Sequence, residues 1–201
     1  MCRKKINMKN AFTAAAEKLS VFKLPRYKDL PEIDLYMDQV ISVSEKYLSA
    51  LKVGEKSLIT PSMINNYVKN GVIPPPNMKK YTRDHLAAII IICSLKQTME
   101  ITDISVIINK ITENRGMEQT FDSFAEIYES NFSSLVISAD AASREKGESL
   151  YTIMVENAII SSAARTIVKY ALSSLEEPAP KDPDPPKPQK KKKSKPEEIE
   201  S

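Results

Sequence analysis

The chain has 201 residues, with 29 Lys and Arg against 26 Asp and Glu for a formal charge of +3, and 42% hydrophobic residues. That length buries a core without disulfides or metals, and four glycines with apolar residues in helical rather than alternating spacing make the fold mainly α. Its two cysteines, Cys2 and Cys93, lie far apart, which argues against a disulfide scaffold and fits reduced thiols in a cytoplasm.

Charge is concentrated at the start. Residues 1–31 hold eight basic side chains against two acidic ones, a head of +6, so the remainder is net acidic by three. Such a head attracts phosphates locally; it also suits a merely solvated terminus. Glu17 and Lys18 interrupt the apolar residues that follow, so a secretory leader is not expected, and the longest apolar run is too short to span a bilayer. The segment KDLPEID, between Tyr27 and Tyr36, reads as an ordered lead-in against the helical core, with no chemistry of its own.

The first helix is expected over 35–51, where Tyr36, Val40, Val43, Tyr47 and Leu51 recur at steps of three and four. After the loop KVGEKSLI, Thr60 suits an N-cap, Pro61 the first helical position and Gly71 the left-handed residue that closes a helix over 61–70. That helix divides by face. Ile64 and Val68 lie together with Tyr67 beside them, while Ser62, Asn65, Asn66 and Lys69 occupy the other side. Asn pairs bidentately with adenine in the major groove and Lys reaches guanine or phosphate, so this face is equipped to read base edges. An ordinary solvated face has the same composition.

Three prolines, Pro74 to Pro76, stiffen the exit and present Lys79 and Lys80 on a short arm. Thr82 then caps a helix over 83–98, Thr102 caps another over 103–114, and Gly116 punctuates its end. Further helices are expected over 121–136 and 147–175, the last with a broad apolar face suited to deep burial or to a second subunit. From Glu176 the composition shifts to proline and charge, including KKKKSK, and predicts a disordered tail.

The stretch GVIPPPNMKKYTRDHL resembles the wing region of the MerR-type winged helix-turn-helix, and with it an uncharacterised bacterial family carrying such a domain. Gly71, Val72, Ile73, Pro74 and Pro75 match the exit from the recognition helix, Lys79 and Lys80 the wing, Tyr81 its closing aromatic, and Asp84 and Leu86 the next helix start. Asn65, Asn66 and Tyr67 stand where that family usually has Arg-Tyr-Tyr, and no cysteine metal site follows. The resemblance implies a DNA-binding domain over 32–115 and a C-terminal helical region over 116–175. In that reading Ser62, Asn65, Asn66, Tyr67 and Lys69 contact the major groove, while Lys79, Lys80, Tyr81 and Arg83 hold phosphates. The expected partner is double-stranded DNA, bound by a homodimer through 150–175; the alternative is a protein-interaction module on the same frame.

An enzyme is the least supported class. The single histidine, His85, sits among apolar residues and reads as packed, no phosphate loop or nucleophile elbow occurs, and Asp34 with Asp38, like Asp122 with Glu126, reads as a solvated helix face. No catalytic residue, metal, cofactor or membrane is expected.

Overall fold

A computed structural model describes residues 16–17, 19–144 and 149–175. Most of the basic head, with Cys2, and the charged tail from Glu176 lie outside them. Among the described residues the chain is mainly helical, with no strand beyond two isolated bridges. Five helices carry the fold: α1 Met37–Tyr47, α2 Pro61–Lys69, α3 Arg83–Leu95, α4 Ile101–Arg144 and α5 Leu150–Ser173.

The centre of the molecule is α3. Every side chain from His85 to Cys93 is buried, so no stretch of that run is left for solvent. A run of four isoleucines is no better than average as helix former, and burial on all sides rather than intrinsic propensity holds it. Val40 and Leu48 from the α1 region, Ile64 and Tyr67 from α2, and Ile104, Ile108, Phe121 and Ala125 from α4 pack into the same cluster. The core therefore runs across Gly116. Burial pushes the Cys93 thiol up to about 11.

Several expected boundaries move. The first helix is shorter than 35–51: it begins at Met37, with Tyr36 at its cap and more than half exposed, and a 3-10 turn Ser49–Leu51 follows it. Its buried row is Val40, Ser44 and Leu48. Scoring apolar residues alone skips Ser44 and rotates the inferred face. The third helix stops at Leu95 rather than 98, and α4 starts at Ile101, so Thr102 lies inside it and does not cap it.

Gly116 is a kink inside α4. Its φ of 77° and ψ of 167° lie in a region that only glycine occupies readily, so the chain turns without leaving helical structure on either side. The second arm continues to Arg144, beyond the expected 121–136. Along that arm Phe124, Tyr128 and Phe132 recur every four residues and form an aromatic ladder, with Tyr128 and Phe132 stacked at 5.7 Å between centroids. Ser149 caps α5 by accepting from the Thr152 amide, and Ile153 is the one fully buried apolar side chain of α5. Ion pairs from Arg165 to Glu100 and from Lys169 to Asp103, both 2.7 Å, hold α5 to the start of α4. Among the described residues no helix is long and apolar enough to cross a membrane.

Candidate nucleic-acid interface

Both ends of α2 are fixed by hydrogen bonds. The Thr60 hydroxyl accepts from the Met63 amide at 3.3 Å, with Pro61 at the first helical position where its missing N–H is not needed. At the other end Val72 N–H donates to the Tyr67 carbonyl at 2.8 Å and Gly71 N–H to the Val68 carbonyl at 3.1 Å, the paired bonds of a Schellman motif. That motif requires a left-handed residue, and Gly71 supplies it with φ 68°.

Ile64 and Tyr67 are buried in the core, which fixes the rotation of α2 about its axis. Ser62, Asn65, Asn66 and Lys69 are thereby all exposed and, with Thr60 and Met63, line a shallow concavity. Asn70 Nδ2 donates to Asn66 Oδ1 at 3.1 Å and orients that amide. Lys69 has no ion-pair partner among the described residues.

The arm after α2 is a minimal hairpin. Lys80 N–H donates to the Asn77 carbonyl at 2.8 Å, and between them Met78 (φ 47°) and Lys79 (φ 64°) both occupy the left-handed region, the pattern of a type I′ turn. The base is tied to the domain. Leu35 and Tyr81 exchange two backbone hydrogen bonds, 2.9 and 2.8 Å, which dock the arm against the lead-in to α1. His85 completes the anchor: its Nδ1 accepts from the Thr82 amide at 3.0 Å, which leaves Nε2 to donate to the Pro74 carbonyl at 3.2 Å. This neutral tautomer performs the role of the acidic residue in a capping box and at the same time grips the proline exit.

Lys79 and Lys80 stand exposed on this arm, Lys80 with its ammonium 5.6 Å from the Tyr36 ring centroid. Three other residues expected at the interface do not reach solvent in that way. Tyr67 and Tyr81 are each 3% exposed, because their rings are needed to fill the core beneath α2 and the arm. Burial pushes the Tyr67 phenol up to about 12. Arg83 is turned inward: its Nη2 lies 3.1 Å from Glu32, its Nε donates to the Pro31 carbonyl at 3.4 Å, and its guanidinium lies 5.2 Å from the Tyr27 ring centroid. Glu32, Asp34 and Asp84 share that concavity. Of the basic residues expected at the interface, Lys69, Lys79 and Lys80 are therefore the exposed ones, Lys69 on the polar face of α2 and the other two on the arm.

The lead-in does more than the sequence suggested. Glu129 on α4, with its side chain 6% exposed, accepts from Leu24 N–H at 2.8 Å, from Arg26 through both terminal nitrogens at 2.9 and 3.1 Å, and from Lys23 at 3.3 Å. Burial pushes this carboxyl up, yet the bonds from Arg26, Leu24 and Lys23 outweigh it and leave Glu129 below its ordinary value. Tyr27 continues the strap: its amide donates to Asp122 at 2.6 Å and its hydroxyl to Asp84 at 2.5 Å, joining α4 to the start of α3. Burial and that bond push the Tyr27 phenol up to about 12. The sequence signal was the basic spacing Lys23, Arg26 and Lys28 before an aromatic-rich acidic helix, which fixes no pairing by itself.

Residues 25–131 match the model of a family described as Domain of unknown function (DUF1836), a span that holds Arg26 and Tyr27 with their partners on α4, the hairpin arm and the kink. Neither a curated protein nor a solved structure matches the chain.

Proposed function

We propose that this chain, which belongs to the DUF1836 family, is a sequence-specific double-stranded DNA-binding protein and a transcription regulator, built on a MerR-like winged helix-turn-helix frame. The observation that carries the reading is the division of α2: one face locked into the core by Ile64 and Tyr67, the other open and bearing Ser62, Asn65, Asn66 and Lys69. A helix so fixed presents its amides in one orientation, as readout of base edges in the major groove requires. Lys79 and Lys80 on the stiff arm supply phosphate contacts. Two copies joined through 150–175 set two readers on one duplex.

Selection of bound sequences from a random duplex pool at low salt tests it: a preferred sequence is expected, and its absence overturns the reading. On the selected duplex Asn65→Ala lowers discrimination at one base pair by about 1–3 kcal/mol, whereas Lys79→Ala weakens all duplexes alike and reduces the salt slope by about one.

A protein-interaction module is the second reading. It draws on the inward turn of Arg83 toward Glu32 and on the acidic neighbours Asp34 and Asp84 beside the arm. A stoichiometric protein partner that survives nuclease treatment, recovered with the full chain, favours it.

A further inference from the structure

The tip of the hairpin arm presents an apolar side chain where a solvated turn needs none. Met78 is 87% exposed, and it and Lys79 are both non-glycine residues at positive φ, two adjacent positions that Asn-Gly would occupy without strain. Its neighbours Lys79 and Lys80 are exposed cations. Beneath them the arm is held at three points, by the prolines, by the Leu35–Tyr81 bridge and by His85 on the Pro74 carbonyl. A rigid arm, a strained tip, an uncovered thioether and two cations directly after it together describe a probe aimed at a polyanion with an apolar interior.

We propose that Met78 is a wedge that enters the minor groove of duplex DNA and partly unstacks one base step, bending the duplex, while Lys79 and Lys80 hold the flanking phosphates. This rests on the DNA-binding reading above. Methionine belongs to the set of side chains that insert between base steps, because its unbranched apolar chain fits the gap between bases, and the bend so produced brings more duplex against the protein. Met78 occupies the first central position of the type I′ turn, at the tip of the arm, and its side chain is left uncovered there.

The test uses the full chain and a duplex of the selected sequence, labelled at both ends for energy transfer, with 2-aminopurine placed in turn at each base step. Met78→Asn keeps a residue suited to positive φ and removes the wedge; Met78→Leu keeps the wedge. Wild type and Met78→Leu are expected to shorten the end-to-end distance and brighten 2-aminopurine at one step. Met78→Asn is expected to bind the same sequence roughly tenfold more weakly, without bending or brightening, and to melt at no lower a temperature. Bending by Met78→Asn equal to wild type, or wild type binding an unbent duplex, overturns the wedge and leaves the reader intact. Failure to select any duplex overturns both, and loss of a nuclease-resistant protein partner in Met78→Asn overturns the wedge in favour of a protein-docking role.

Discussion

A carboxylate that accepts four hydrogen bonds while almost out of water, as Glu129 does, makes the attachment of the lead-in depend on its charge. Glu129→Gln removes that charge and leaves Arg26 and Lys23 to find water. Both cations retain some exposure, so the loss falls below the range for a fully buried pair, at about 2 kcal/mol in urea unfolding. Its sign with pH follows from the lowered value: the stabilisation is complete above the ordinary carboxylate range and disappears as pH falls through the lowered pKa. Acid unfolding of wild type should therefore be steeper than that of Glu129→Gln, and the two stability curves should converge at low pH. Around α2 and the arm the same scale separates residues the sequence grouped together. The exposure of Asn65, Asn66 and Lys69 was legible from their spacing, as was the place of Tyr67 beside Ile64, whereas the burial of Tyr81 was not, because a lone tyrosine outside a helix has no periodicity to say whether its ring packs inward.

Among the elements, both ends of α2 were readable from local chemistry, although Thr102, read as a cap, lies inside α4, and the buried row of α1, set by tertiary packing, was not readable. Thr60, Pro61 and Gly71 bound α2 because cap, first-position proline and left-handed glycine act within a few residues. Ser44 in the buried row of α1 and the continuation of α4 to Arg144 depend on neighbours distant in sequence. Gly116 belongs to both groups: the glycine announced an interruption, but the second arm's direction comes from its packing. An added Cβ at Gly116 would meet nothing within 4 Å, so the penalty of Gly116→Ala is one of backbone conformation alone. It is expected to cost about 1–3 kcal/mol, seen as a lowered melting temperature, and to weaken the contact of the lead-in with Asp122 and Glu129 by redirecting the arm that carries them.

At the scale of the whole molecule, α5 is the element the rest of the fold does not absorb. Tyr151, Val155, Ile159, Ile167 and Tyr170 are all largely exposed, and both cations of its second half, Arg165 and Lys169, are paired, with Glu100 just before α4 and with Asp103 in its first turn. Its outward side is left with Glu156 as the single charged residue, beside the small residues Ser161, Ser162, Ala163 and Ala164 at mid-length. An antiparallel pair of such helices places Ile159 of one copy near Ile167 of the other, with the small residues at the crossing, where they permit close approach. Ile167→Glu is expected to yield a folded monomer in sedimentation, with far weaker binding of the selected duplex. A wild-type monomer at tens of micromolar, on the scale of weak association, rejects the pairing.

The burial of Cys93 near the end of α3 makes the protein its own clock for opening. A thiol held near 11 and sealed by the core, with its Sγ 4.0 Å from the Leu58 carbonyl, reacts with a disulfide reagent only when the packing around α3 opens, whereas an accessible thiol reacts at once. The slow phase of thiol labelling in the native protein thus measures how often the core comes apart, and on the DNA-binding reading proposed above a bound duplex should lengthen it in inverse proportion to the unoccupied fraction of the site.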